Sequence, residues 1–286
     1  MSKNKIILGT AQLNNVYGYS NNKIKFNKKN FNKTIKLMRK KNLNIFDTAD
    51  GYNNHKILSA ALNKSDKIIS KITYSNDIDI DKELDKILKN LKINQIYGIL
   101  IHNTRYIHKK KFHLFYEELK KKTKIKKLGF SCYKIKEIKY ILKYFNFEIL
   151  QFPFNILDQR LARENKVLRD LKSRKVEIHV RSVFLQGILL NKNIINDRYF
   201  KRWKTIFSSL ERFKHNNKLT SLEACIYFLK QYKFYDKIVI GVENAIQLDN
   251  FLKIFLLRNK NKYKNYNFKQ FSKKDEKLIL PTLWKK

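Results

Sequence analysis

Short apolar runs alternate along the chain with longer lysine-rich stretches whose apolar residues recur every three or four positions. The runs at 5–9, 44–47, 67–72, 96–102, 126–131, 148–152, 176–182 and 237–241 have the length and composition of buried strands. Between them, Phe31, Ile35 and Met38 mark one apolar helix face, and Leu84, Ile87, Leu88 and Leu91 mark another. Ile135, Ile138, Ile141 and Leu142 repeat that spacing between the fifth and sixth runs. Thr220-Ser-Leu-Glu223 has the form of a capping box and opens a helix predicted to reach about Tyr232. Eight strands alternating with helices, with no proline- or glycine-rich linker, predict an α/β fold: a single-domain (β/α)8 TIM barrel spanning 1–286. Two segments exceed a minimal barrel, a long insertion at 190–218 after strand seven and a C-terminal tail at 259–286. Loops of such length at the C-terminal face often serve as lids or substrate walls; the tail could equally pack on the barrel exterior.

Composition narrows the class. With 2 prolines and 7 glycines the chain is poor in both, and Gly9, Gly51, Gly129, Gly187 and Gly241 all lie in or just after candidate strands. A net charge of +39 raises the question of a polyanionic partner. The lysines, however, recur along the whole chain, as the coding bias of an AT-rich genome would impose on a solvated surface. Weak adhesion to polyanions at low salt is expected, and a specific nucleic-acid partner is not. Cys132 and Cys225 are the only cysteines, which points to a reducing compartment without a disulfide framework. The first residues are too poor in apolar side chains for a secretion signal, and no run of about twenty apolar residues occurs. A cytoplasmic protein without a membrane span is expected. His55, His102, His108, His113, His179 and His215 show no metal-binding spacing, so no metal is expected.

The candidate chemistry sits at strand ends. Asp47, Tyr52, Lys71 and His102 each lie at or just past the end of a short apolar run. An acid, a phenol, an ammonium and an imidazole gathered at the same ends of successive parallel strands form a set able to deliver a proton to a carbonyl oxygen.

The motifs Leu8-Gly-Thr-Ala-Gln12, Phe46-Asp-Thr-Ala-Asp-Gly-Tyr52, Ser70-Lys71-Ile72 and Ile101-His-Asn103 follow in order. Leu128-Gly-Phe-Ser131, Gln151-Phe-Pro-Phe-Asn-Ile-Leu-Asp158, Arg181-Ser-Val-Phe-Leu-Gln-Gly187 and Val239-Ile-Gly-Val-Glu243 continue the series. Together they resemble the aldo-keto reductase superfamily from Ile6 to about Leu252. The resemblance implies reduction of a small-molecule aldehyde or ketone by NADPH or NADH, with Tyr52 as general acid. Lys71 would lower the phenol's pKa, Asp47 would hold Lys71, and His102 would orient the carbonyl by a hydrogen bond. Ser131 and Gln151 would hold the nicotinamide carboxamide. Ser182 and the backbone around Gly187 would meet the pyrophosphate, and Gly241, Asn244, Gln247 and Asn250 would lie at the adenosine end. No G-x-G-x-x-G follows a strand, so a Rossmann domain is not the route.

Several positions depart from the family pattern. Cys132 stands where many members have Asn, Arg181 where an aromatic stacks on the nicotinamide, and Lys56 where an acidic residue is common. Gln247 replaces an Arg often found in NADPH-selective members, with Lys253 or Arg258 as substitutes for that cation. No counterpart is seen of the hairpin that closes the barrel bottom in many relatives. The Arg181-Ser-Val-Phe-Leu-Gln-Gly form is similar to a bacterial branch associated with sugar and surface-polysaccharide biosynthesis. Alternative readings are a nicotinamide-nucleotide-binding sensor or scaffold with residual activity, and a polyanion-binding protein. The expected assembly is a monomer or weak homo-oligomer.

Overall fold

A computed structural model describes residues 5–13, 18–19, 27–257, 263 and 265–284. Eight parallel strands form a closed barrel in sequence order. They are β1 (Ile6–Gly9), β2 (Ile45–Asp47), β3 (Lys67–Ile72), β4 (Gly98–Ile101), β5 (Leu128–Ser131), β6 (Ile149–Pro153), β7 (Glu177–Arg181) and β8 (Lys237–Gly241). Closure is made by β1 on β8, in a register running from Ile6 against Ile238 to Gly9 against Gly241. The strands coincide with the eight apolar runs, and the (β/α)8 barrel expected from their alternation is the fold observed. The ends differ by a residue or two: Ile96, placed in the fourth run, makes only an isolated bridge to Ile125.

The strands read as continuous apolar runs because both faces are covered. One face turns into the barrel, where Ile7, Ile45, Ile69, Leu100 and Ile149 pack with Tyr97 and Val239. The other meets the helices α1 (Lys28–Lys40), α2 (His55–Ser59), α3 (Ile80–Leu91), α4 (Lys110–Lys120), α5 (Ile135–Tyr144) and α6 (Asn165–Ser173). Phe31, Ile35 and Met38 on α1 are buried, as are all four apolar residues marked on α3. Gly129 is required where β5 meets β6, since a Cβ there would lie 2.1 Å from the Ile149 carbonyl oxygen.

Toward the strands' N-terminal ends, the barrel holds a polar cluster centred on Glu177. Its carboxylate accepts from Tyr97 Oη (2.8 Å) and Lys127 Nζ (2.5 Å), and pairs with His179 Nε2 (3.1 Å). Burial alone would raise the Glu177 pKa, but His179, Lys127 and Tyr97 outweigh it and hold the carboxyl well below its ordinary range. The expectation about a hairpin concerns residues preceding Lys5, which lie outside the described residues.

After β7 the chain forms short 3-10 turns at Ile188–Leu190, Lys192–Asn196 and Phe200–Trp203, then α7 (Lys204–Asn216). Next comes α8 (Ser221–Lys230), whose capping box is present: Thr220 Oγ1 accepts from Glu223 N, and Glu223 Oε2 accepts from Thr220 N. The final helix of the barrel is α9 (Ala245–Leu256). Residues 265–284 pack back onto this half. Phe268 and Phe271 meet the Phe213 ring of α7 at 5.4 and 5.2 Å, and Trp203 Nε1 donates to Asp275. Lys273 N donates to Leu157 O, and Trp284 meets Phe200 and Tyr19 edge-on. Arg258 lies outside the described residues, as do 259–262, 264 and 285–286. No described helix is long and apolar enough to cross a membrane.

Candidate active site

The C-terminal ends of the strands open into a cavity of about 440 Å³ lined by Asp47, Tyr52, Lys71 and His102. It also reaches Ser131, Gln151, Arg181, Ser182, Gly187, Gly241, Gln247 and Asn250. Of the candidate catalytic and cofactor-binding residues, Asn244 alone does not line it; its side chain accepts from Gln247 N and caps α9. Asp47, Lys71 and Arg181 are the last residues of their inward-facing rows, and strand alternation therefore delivers them to one mouth.

Lys71 Nζ donates to Asp47 Oδ1 at 2.5 Å and to Thr48 O at 2.9 Å, with both charged side chains at least 95% buried. Gln151 Nε2 donates to the other carboxylate oxygen at 2.8 Å. Tyr52 sits on a 3-10 turn, Asp50–Tyr52, followed by Asn53 in the left-handed region at φ 51°. The turn is tied at both sides. Asp50 pairs with Lys86 of α3 at 2.8 Å. Buried Asn54 donates to Thr10 O at 2.6 Å and accepts from Thr48 Oγ1 at 2.9 Å. The Tyr52 ring lies perpendicular to that of His102, 6.3 Å between centroids, and Lys71 Nζ is 5.6 Å from the Tyr52 centroid.

Burial pushes the Tyr52 phenol above its ordinary value; Asp47 adds to this, and Arg181 opposes it. His102 is shifted down to about 4, first by burial and then by Lys71 and Arg181, so its imidazole is neutral at physiological pH. The site thus presents a protonated phenol and a neutral imidazole, two donors for one oxygen. Burial also raises the Cys132 thiol well above its ordinary value, which makes it inert.

The remaining wall suits a dinucleotide. Gln151 Oε1 is buried and has no hydrogen-bond partner among the described residues, leaving an acceptor for an amide N–H. After β7, Ser182, Leu185, Gln186 and Gly187 all take positive φ (55°, 47°, 54° and 88°). Within this turn Leu185 N donates to Ser182 O and Gly187 N to Phe184 O. At the far end Gln247 grips Glu243, accepting from its backbone N (2.9 Å) and donating to its carboxylate (3.1 Å). Asn54 and the Gln151–Asp47 bond were not anticipated as parts of the site. The Asn53-Asn54 pair directly after Tyr52 was the signal for the first, since Asn favours such turns. No group of described residues could hold a metal ion.

Residues 5–275 match the aldo/keto reductase family. Among solved structures, the chain is similar to aldo-keto reductase AKR11C1 from Bacillus halodurans (holo form), with 17% identity and a TM-score of 0.72 over 94% of this chain and 92% of that one. It is also similar to the glycerol dehydrogenase AKR11B4 from Gluconobacter oxydans, with 15% identity and a TM-score of 0.65 over 97% and 92%. A third, MGS-M4 from a Medee basin deep-sea metagenome library, shares 14% identity at a TM-score of 0.62 over 93% and 90%. A search of curated proteins gives no significant match. With the family match covering nearly the whole barrel, the chain belongs to the aldo/keto reductase family, whose members are oxidoreductases of carbonyl compounds.

Proposed function

We propose that the chain is an NAD(P)H-dependent oxidoreductase that reduces an aldehyde or ketone to an alcohol, with Tyr52 as the proton donor. The observation that carries this reading is the convergence of Tyr52, His102 and the Lys71–Asp47 pair at one mouth of the cavity that also contains Gln151. A bound dihydronicotinamide supplies the hydride. Tyr52 Oη and the neutral His102 ring hydrogen-bond the carbonyl oxygen, and Tyr52 passes its proton to that oxygen as negative charge develops. Lys71, fixed by Asp47 and Thr48 O, steadies the phenolate that remains. Ser131 and Gln151 hold the carboxamide, and the 182–187 loop holds the pyrophosphate. At the adenosine end, Glu243 disfavours an added 2′-phosphate and supplies an acceptor for ribose hydroxyls, which favours NADH.

A sugar-derived aldehyde or ketone is the proposed substrate class. It is supported by the Arg181-Ser-Val-Phe-Leu-Gln-Gly motif, and the Gluconobacter oxydans relative is named a glycerol dehydrogenase. Two buried free thiols accord with a cytoplasmic setting. The test is fluorescence titration with NADH and NADPH at about 150 mM salt, where surface charge is screened, followed by turnover of Tyr52→Phe. Binding is expected to survive in Tyr52→Phe while turnover falls by at least about 100-fold. Near-normal turnover removes Tyr52 as the acid, and no binding of either dinucleotide removes the reductase reading.

A further inference from the structure

We propose that His179, deep in the barrel, is a positioning residue for Gln151, joined to it by a buried water that donates to both His179 Nδ1 and Gln151 Oε1. The bridge stands on the geometry of the barrel interior; its effect on a ligand rests on the dinucleotide reading above. Both atoms are buried, and neither has a hydrogen-bond partner among the described residues. Gln151 on β6 and His179 on β7 are register partners. Adjacent strands lie about 4.8 Å apart, and register partners send their side chains to the same face. That face is the interior: Gln151 lines the cavity, and His179 stands in the row of Glu177 and Arg181. Both side chains are fully buried.

The neighbours of each group decide what can lie between them. His179 Nε2 pairs with Glu177 Oε2 at 3.1 Å, while Tyr97 and Lys127 both bond the other carboxylate oxygen. Those three partners hold Glu177 ionised, well below the ordinary carboxylate range. A carboxylate only accepts, so Nε2 carries the hydrogen and Nδ1 of the neutral ring is an acceptor. The bonding directions of the two ring nitrogens diverge widely. With Nε2 turned toward Glu177 at the closed end, Nδ1 faces the layer of Gln151. On the other side, Gln151 Nε2 donates to Asp47 Oδ2, which fixes Oε1 as the remaining end of the amide. Two acceptors cannot bond each other, and no direct bond joins them. A water supplies one hydrogen to each. A positive charge on the ring would instead face Lys127 and, on the paired strand, Lys237.

A hydrogen-bonded column then runs the depth of the barrel, from Lys127 and Glu177 through His179, the water and Gln151 to Asp47 and Lys71. It holds the Gln151 amide at both ends, removing the broad freedom of its terminal torsion. Oε1 has two lone pairs, so one stays available to a ligand amide, already aimed before the ligand arrives.

The test combines a high-resolution crystal structure and histidine 15N NMR of the wild type with NADH dissociation constants at about 150 mM salt. The expected results are a water bonded to both atoms and a neutral His179 ring carrying its hydrogen on Nε2. His179→Phe is expected to weaken NADH binding about tenfold. His179→Gln, whose amide oxygen can still accept from the water, recovers most of that loss; thermal melts confirm that both are folded. An imidazolium or an Nδ1–H ring in the wild type, or no water between the two atoms, overturns the bridge. Unchanged affinity in folded His179→Phe, or equal losses in the two variants, overturns the positioning role. Failure of the wild type to bind either dinucleotide removes the reductase reading instead, and the two wild-type readouts still decide the bridge.

Discussion

Lys71 and Asp47 show how a side chain readable in the sequence acquires a role that is not. Their types and positions marked them as partners, and the structure joins them at 2.5 Å. That Gln151 donates to the same carboxylate could not be read, because it depends on β6 standing opposite β2 across the barrel interior. The raised pKa of the Tyr52 phenol has a similar origin: sequence shows a lysine near a tyrosine but not how deeply the phenol is buried. Removing one partner of a buried ion pair leaves an uncompensated charge, at a cost of about 3–5 kcal/mol. Lys71→Met should therefore lose both turnover and stability on that scale, measured by urea denaturation. A loss below about 1 kcal/mol would show that the pair is more hydrated than its burial indicates.

At the scale of elements, legibility followed the range of the interactions. All eight strands were marked by local apolar runs, and the helix faces by their spacing. The Thr220 capping box, whose reciprocal bonds span three residues, was readable in full. The helix it opens ends at Lys230, two residues short of the expected limit. Thr220→Ala should cost about 1 kcal/mol and lower the melting temperature by roughly 2–4 °C; an unchanged melt would mean the helix end is held by its tertiary contacts alone. By contrast, the meeting of 265–284 with 190–218 through Phe213, Phe268, Phe271, Trp203 and Asp275 leaves no periodic trace. Such contacts join residues more than fifty positions apart, and a single sequence carries no register for them. Gly129→Ala tests the tightest strand approach. With 2.1 Å available, β5 and β6 must part, and little or no folded protein is expected by circular dichroism.

For the molecule as a whole, charge and protonation set the conditions for stability. A net charge of +39 destabilises the compact state by self-repulsion, so the melting temperature should rise as NaCl is added from about 20 to 300 mM. A flat response would mean that local ion pairs already neutralise the surface field. Burial depresses the pKa of His102, to about 4, and that of His55. Between those values and the ordinary 6.5 the unfolded chain binds more protons than the folded one, so stability falls as pH is lowered through that window. Glu83 and Asp158, raised by burial, act in the opposite sense at its acid end. Urea midpoints between pH 6.5 and 5 should decline in the wild type and decline less in His102→Asn; equal slopes would remove His102 from the acid response. The seam between β1 and β8 has a further consequence, for how the protein comes into being. At about 5–20 residues per second, a ribosome takes roughly 10–50 s to pass from β1 to β8, and throughout that time β1 lacks one of its two neighbours. No dinucleotide can serve as a template during synthesis, because the cavity that would receive it shares walls with both strands. The nascent chain must be kept from its neighbours by other means until β8 is made.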